Sequence, residues 1–157
     1  MAGKTSNRKK WLWAAVCAAL VITAFAIAGN IESKKPVAAE ALPETAAALL
    51  DRHYQGEAPA LVLKKFDDLR TSYEVTFTDG TKLKFDRRGE WTEVESHARS
   101  VPAGLVPPQI LDYTGRNFPG AAIMEISRER KEVEVKLGNR IELTFDSGNW
   151  MLKDFDD

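Results

Sequence analysis

One strand–turn–strand pattern occurs twice in this chain, about sixty residues apart. Residues 73–77 (YEVTF) are followed by LKFD at 83–86 and by GEW at 89–91. The same order returns as VEVKL at 133–137, LTFD at 143–146 and GNW at 148–150. Self-similarity at a fixed period is typical of a duplicated supersecondary unit. The sequence therefore predicts two repeats, one over residues 42–95 and one over residues 105–153.

Each repeat is predicted to open with a helix. Pro43 stands at an N-terminal helical position and Glu44 in the first turn, where the helix dipole favours an acid. In the second repeat, Pro107 and Pro108 mark the start of the helix and Pro119 its end. Apolar residues recur at steps of three and four in both segments, which indicates one buried stripe on each helix.

The strand registers follow from the alternation of apolar residues. A three-residue loop ending at Gly80, in the left-handed conformation, places Val75 opposite Leu83 and keeps the apolar residues on one face. The next turns, a three-residue loop at 87–89 and a two-residue loop at 147–148, predict two aromatic cross-strand pairs, Phe85 with Trp91 and Phe145 with Trp150.

A similar loop is predicted at residues 138–140. It places Leu137 opposite Ile141 and puts Arg140 where a glycine would be easiest to accommodate.

The predicted fold class is α+β. One-sided alternation indicates a sheet with one covered and one wet face. We expect a tandem repeat of helix plus antiparallel strands, with two helices packed on one face of an antiparallel sheet and an N-terminal apolar helix before it.

The N-terminal segment has the pattern of an export signal. The first ten residues carry four positive charges and no acid, and residues 11–29 carry no charge at all. This pattern is typical of a cleaved signal peptide and equally of an N-terminal membrane anchor, so residues 1–29 are predicted to be one or the other. In both cases the N-terminus is cytoplasmic and the rest of the chain is exported. Residues 30–41 are predicted to be a linker, and residues 42–157 the folded domain.

Composition and motifs give no indication of catalysis. Cys17 is the sole cysteine, the histidines are His53 and His97, and neither a zinc-ligand spacing nor a G-x-S-x-G motif is present. We predict no catalytic residue, no metal site and no cofactor. Beyond residue 30, 18 Lys and Arg face 23 Asp and Glu, and this negative balance argues against nucleic acid as a partner.

The motifs resemble those of a known family. The repeated FDxxGxW and FDxGxW, the stretch VPAGLVPP at 101–108 and NFPGAAI at 117–123 are similar to the PepSY-like family of β-lactamase-inhibitor-like proteins, over about residues 42–153. The resemblance implies a protein of the Gram-negative periplasm or cell envelope. If the leader is retained, residues 11–29 are expected to anchor the protein in the inner membrane. It also implies a non-catalytic binding or inhibitory module with a broad, open sheet.

The uncovered sheet face is the candidate site. A flat face of mixed charge can recognise a protein, so we predict an envelope protein as partner. Two alternatives remain from the sequence: an accessory module that binds a small ligand or peptide, and a structural domain tethered to the membrane. The predicted partner-binding residues alternate with the apolar ones: Glu74, Thr76, Lys82, Lys84, Glu134, Lys136, Glu142 and Thr144.

Overall fold

The computed structural model describes residues 33–67 and 70–156. Its helices are α1 (Glu44–His53) and α2 (Pro108–Asn117), with short 3-10 turns at Ala39–Ala41 and Ala103–Leu105. Its strands are β1 (Ser33–Pro36), β2 (Leu61–Asp67), β3 (Arg70–Thr76), β4 (Lys82–Phe85), β5 (Trp91–Glu95), β6 (Ile123–Arg128), β7 (Glu132–Leu137), β8 (Glu142–Asp146) and β9 (Leu152–Asp156).

The nine described strands form one sheet in chain order, from β1 to β9. Every neighbouring pair from β2 to β9 is antiparallel. At the centre of the sheet β5 pairs with β6, although α2 lies between them in the chain. The sheet therefore continues without a break from one predicted repeat into the other.

The predicted fold class is wrong. We expected an α+β tandem repeat of helix plus strands, whereas the described chain is mostly one nine-stranded antiparallel sheet that carries two helices. The physical reason is that a strand at the end of each repeat would leave a row of unpaired backbone N–H and C=O groups, and β5 and β6 satisfy each other.

The predicted N-terminal apolar helix falls on residues that the structure does not describe. Residues 11–29, on which the signal or anchor prediction rests, lie outside the described residues. Within residues 33–67 and 70–156, no helix is long and apolar enough to cross a membrane.

One sheet face carries the hydrophobic core. Burial alternates along the inner strands, and Val75, Leu83, Val135 and Leu143 are fully buried. The buried helix residues, Ala46 and Leu50 of α1 and Ile110 of α2, belong to the same hydrophobic cluster. Burying one large aliphatic or aromatic side chain stabilises a fold by about 1.5–3 kcal/mol. The burial of this cluster therefore explains why one face of the sheet is covered by the helices.

The register of the first hairpins is confirmed. Val75 pairs with Leu83, and Phe85 pairs with Trp91. Gly80 has φ +86°, as the three-residue loop requires. The predicted loop at 138–140 is confirmed as well, because the Leu137 amide donates to the Ile141 carbonyl at 2.8 Å.

The predicted pair of Phe145 with Trp150 is wrong, because Phe145 pairs with Leu152. The Asp146 carboxylate accepts the backbone amides of Gly148 and Asn149 at 2.9 and 3.1 Å, and the Asp146 amide donates to the Met151 carbonyl. These bonds make the turn longer than two residues. Trp150 therefore lies in the turn, at φ +61°, and is half-buried beside the core.

Part of the predicted linker is ordered. Ser33–Pro36 form β1 at one edge of the sheet, and the Val37 amide donates to the Val62 carbonyl at 3.0 Å. Lysine and proline are common on edge strands, where they discourage pairing with another chain, and β1 reads SKKP. The division of the chain at residues 29 and 41 itself stays a prediction.

Candidate functional site

The candidate site is the open face, the side of the sheet opposite the core. Along β3, β4, β7 and β8 the half-buried residues alternate with the buried ones and point to this side. Cross-strand pairing arranges them in two continuous rows over eight strands. Row 1 is Leu61, Thr76, Lys82, Glu95, Glu125, Lys136, Glu142 and Asp156; row 2 is Leu63, Glu74, Lys84, Glu93, Ser127, Glu134, Thr144 and Asp154.

The structure brings all eight predicted site residues into these rows. Thr76, Lys82, Lys136 and Glu142 belong to row 1. Glu74, Lys84, Glu134 and Thr144 belong to row 2. Their common face is therefore established, whereas their role in binding a partner stays a prediction.

Two carboxylates of β5 at the centre of the rows were missed by the sequence analysis. Glu93 lies opposite Lys84 and Glu95 opposite Lys82, because a bulge between Lys84 and Phe85 shifts the register of β5 by one residue. The bulge lets both Trp91 and Val94 face the core. Trp91 and Val94 are three positions apart, whereas residues on one face of a regular strand are separated by an even number of positions. This spacing is the sequence signal that could have revealed the bulge.

The open face of β2–β5, here called the paired half, is neutralised by its own ion pairs. Lys84 Nζ lies 2.7 Å from Glu93 Oε2, and Lys82 Nζ lies 3.3 Å from Glu95 Oε2. Lys65 makes a third ion pair, with Glu74. Each lysine thus meets one carboxylate, and the three pairs carry no net charge.

The open face of β6–β9, here called the acidic half, has a different balance. Lys136 Nζ is shared by three carboxylates, at 3.5 Å from Glu125, 3.9 Å from Glu134 and 3.7 Å from Glu142. Lys153 makes an ion pair with Glu132. Asp154 and Asp156 end the two rows and have no ion pair within the described residues. Asp146 of β8 lies opposite Glu132 on the same face, so seven carboxylates face two lysines.

Carboxylates crowd where the two halves meet. Glu125 lies opposite Glu95 in row 1. Burial raises the pKa of Glu125; the Lys136 ammonium opposes this, and the charges of Glu93 and Glu95 add to it. The Glu125 carboxylate in turn raises the pKa of Lys136. The open face therefore has an excess of negative charge that its lysines do not cancel.

His53 ends α1, and His97 follows β5, with its Nε2 2.9 Å from Glu95 Oε1. Within residues 33–67 and 70–156, no group of three or more His, Cys, Asp or Glu side chains could hold a metal ion.

A separate cavity of about 590 Å³ lies beside α1. Tyr54 is among its lining residues; it stacks on Phe77 at 4.9 Å between ring centroids, and its hydroxyl has no hydrogen-bond partner among the described residues. Burial raises the pKa of Tyr54 to about 12. Arg99 covers the tyrosine ring and donates two hydrogen bonds of 2.6 Å to the Glu57 carboxylate. The cavity contains no residue of the open face; its lining is Ala39, Leu42, Ala47, Leu50, Asp51, Tyr54, Gln55, Gly56, Glu57, Ala58 and Pro59.

Solved structures resemble this chain closely. A putative periplasmic protein of the DUF2874 family from Bacteroides vulgatus is 35% identical, with a TM-score of 0.78 over 82% of this chain and 100% of that one. A putative calcium-regulated periplasmic protein from Bacteroides thetaiotaomicron is 39% identical, with a TM-score of 0.76 over 79% of this chain and 97% of that one. A second Bacteroides vulgatus protein, a putative periplasmic protein of unknown function, is 29% identical, with a TM-score of 0.75 over 80% and 100% of the two chains.

No curated protein matches the chain. A family model described as "Putative beta-lactamase-inhibitor-like, PepSY-like" matches residues 71–153, a range from β3 into β9 that includes α2. With the match to most of the sheet and the similarity to the solved structures, the chain belongs to the PepSY-like family.

Proposed function

We propose that this protein is an exported, non-catalytic, inhibitor-like module of the Gram-negative periplasm or cell envelope, and that it binds an envelope protein through its open face. Its family and the periplasmic proteins that it resembles support the location and the class. The open face, with its two unbroken rows of side chains, is the observation that carries the proposal.

The dimensions of the open face suit a protein partner. Eight strands at about 4.8 Å spacing make the rows roughly 34 Å long. Strands of four to seven residues add roughly 13–23 Å in the other direction. The resulting area has the same order as the roughly 800 Å² that each partner buries in a standard interface.

The side chains of the open face are already held in place. Lys82 and Lys84 are each fixed by a carboxylate on the neighbouring strand, and Glu93 and Glu95 are only about a quarter exposed. A partner that docks on ordered side chains loses less conformational entropy than one that must order them. Charges arranged in this way favour encounter rate and partner choice.

Site-specific photo-cross-linking in the full-length chain tests the proposal. A photoreactive amino acid replaces Thr76 in one variant and Thr144 in another, since both threonines lie on the open face. Matched controls carry it at Asp51 on α1 and Gln109 on α2, both exposed. After irradiation of whole cells, we expect one protein to be attached at both open-face positions and at neither control. Attachment at the helices alone, or equally at all four positions, contradicts the proposal.

Charge reversal provides a second test of the same face. The triple variant K82E/K84E/K136E is expected to change the yield of the adducts at Thr76 and Thr144, because it inverts every lysine in the two rows. The control R52E/R116E/R130E changes the net charge equally at exposed positions off the rows, and should leave the adducts unchanged. Melting curves of both variants show whether each still folds. An adduct yield equal to that of the wild type in a folded K82E/K84E/K136E protein would remove the proposed face.

A second candidate function is an accessory module regulated by a small ligand. One observation favours it, the similarity to a protein described as calcium-regulated. In this chain the Lys136 ammonium lies among the carboxylates of Glu125, Glu134 and Glu142, so a calcium ion would have to displace it there. Melting curves with millimolar calcium chloride, and with magnesium chloride as control, test it. A calcium-specific rise in melting temperature supports this candidate, and its absence argues against it.

A further inference from the structure

We propose that the partner presents a basic, Lys- and Arg-rich protein surface to the acidic half of the open face. This inference rests on the proposed function and adds the chemistry and the orientation of the partner.

The asymmetry between the halves is the first argument. The paired half holds three lysines against three carboxylates, each in a one-to-one ion pair. The acidic half holds two lysines against seven carboxylates, although its strands follow the same pattern in sequence. The net charge is thus near zero over β2–β5 and near −5 over β6–β9. A partner meets a charge gradient along the rows.

The acidic half has unused capacity to accept hydrogen bonds. The Lys136 ammonium divides its attraction among three carboxylates at 3.5–3.9 Å. Glu134 and Glu142 remain more than 40% exposed, so a second cation can reach them from solvent. A guanidinium group donates to a carboxylate through two parallel hydrogen bonds, which makes arginine well suited to this position.

The ends of the rows give the orientation. At β2 the rows begin with Leu61 and Leu63, of which Leu61 is 42% exposed. At β9 they end with Asp156 and Asp154. A complementary partner places an apolar contact over β2 and its positive charges over β6–β9, because like charges facing each other are costly.

The negative charge of the acidic half also argues against other binding partners. Nucleic acids and the anionic leaflet of a membrane carry negative charge, and the acidic half repels both. A second copy of this chain would bring an acidic half of its own. The two copies avoid repulsion only if they lie antiparallel, with the acidic half of each over the paired half of the other. A separate basic protein meets neither obstacle.

The test uses the full-length chain and two defined peptides of twelve residues, one alternating Lys with Thr and the other alternating Glu with Thr. The test variant is E134Q/E142Q, and the control is E40Q/E129Q, which removes two exposed carboxylates outside the rows. Fluorescence anisotropy in 50 mM and 300 mM NaCl gives the affinities. Sedimentation of the chain alone reports self-association.

We expect the Lys–Thr peptide to bind at least about tenfold more tightly than the Glu–Thr peptide at low salt, and to lose most of that advantage at high salt. E134Q/E142Q should weaken binding by about 3- to 10-fold, and E40Q/E129Q by less than about 2-fold. Equal affinity for the two peptides, or an equal loss in the two variants, would overturn the inference. Dimerisation of the wild-type chain that disappears in E134Q/E142Q would overturn it too, because a second copy would then occupy the face.

Failure of this inference can be distinguished from failure of the proposed function. The photo-adducts at Thr76 and Thr144 do not depend on the sign of the partner's charge. If E134Q/E142Q leaves them unchanged while K82E/K84E/K136E abolishes them, the open face binds a protein and the basic partner is wrong. If no adduct forms at either threonine, the proposed function itself falls, whatever the peptides show.

Discussion

Thr81 Oγ1 and Ser96 Oγ lie 3.2 Å apart in a buried position where β4 begins and β5 ends. Thr81 Oγ1 also donates a hydrogen bond of 3.0 Å to Asp79 Oδ2. Since a hydroxyl has one proton, Ser96 Oγ must be the donor to Thr81 Oγ1. The three side chains thus form a directed chain of hydrogen bonds that ties the β3–β4 turn to the end of β5.

Replacing Thr81 should destabilise the fold more than replacing Ser96. T81V keeps the shape but leaves both Ser96 Oγ and Asp79 Oδ2 without their partner, so we expect a loss of about 1–3 kcal/mol in the free energy of unfolding. S96A leaves the bond from Thr81 to Asp79 intact and should cost about 0.5–1.5 kcal/mol. Urea denaturation followed by tryptophan fluorescence measures both. A larger loss for S96A than for T81V would contradict the proposed direction of the bonds.

Asp79 should make stability depend on acid pH. The backbone amide of Thr81, followed by its hydroxyl and by Arg99, holds the pKa of Asp79 below its usual 3.8. A carboxyl whose pKa is lower in the folded than in the unfolded state stabilises the fold above the unfolded pKa, and this stabilisation is lost as the pH falls through the folded pKa. The stability difference between wild type and D79N should therefore be full at pH 6 and shrink below about pH 4. Urea denaturation from pH 7 down to pH 2.5 measures it, and a difference that stays constant or grows on acidification would refute this role.

Gly89 should tolerate alanine much less than Gly120 does. Both have a left-handed backbone, with φ +83° and +84°. A Cβ on Gly89 would lie 2.8 Å from the Ala46 amide nitrogen and 2.9 Å from Pro43 Cβ, whereas a Cβ on Gly120 meets nothing within 4 Å. G120A should cost about 1–2 kcal/mol for the backbone alone. G89A should cost at least about 1 kcal/mol more, because the start of α1 must move away.

The same denaturation assay compares the two alanine variants, with G120A as the control for backbone strain. Equal losses would mean that α1 does not press on the β4–β5 turn. A loss confined to G89A would mean that left-handed strain is relieved elsewhere.

Local pairing was predictable wherever the side chains alone determine it. Phe85 opposite Trp91 follows from alternation and from a glycine at the left-handed position of the turn. Trp150 occurs in an almost identical sequence context and still takes a different position. Asp86 and Asp146 both bind turn amides through their carboxylates. The Asp86 amide donates to the Glu90 carbonyl, whereas the Asp146 amide donates to the Met151 carbonyl, so the second turn is one residue longer without any change in the apolar pattern.

Long-range pairing was not predictable in the same way. β5 pairs with β6 through backbone groups, which carry no sequence pattern, and this pairing merges the two predicted repeats into one sheet. The acidic half was missed for a related reason. Asp154 and Asp156 resemble a solvated tail in the sequence, and only their pairing with Thr144 and Glu142 places them at the end of the rows.

Arg140 should be a site where glycine stabilises the protein. It has φ +73° at the last position of the β7–β8 loop, where its amide donates to the Leu137 carbonyl at 3.0 Å, and it is exposed. A left-handed backbone costs a non-glycine residue about 1–2 kcal/mol. Glycine removes this cost but adds conformational entropy to the unfolded chain, so R140G should raise the free energy of unfolding by about 0.5–1 kcal/mol.

The matched control is R140A, which removes the same charge and the same long side chain but keeps a Cβ and therefore the strain. Urea denaturation should rank R140G above both the wild type and R140A. If R140A is stabilised as much as R140G, then the arginine charge is responsible. If neither variant gains stability, the left-handed conformation of residue 140 has no measurable cost in the free energy of unfolding. The pairing of Leu137 with Ile141 in the sheet would then be sufficient to impose the geometry of the loop.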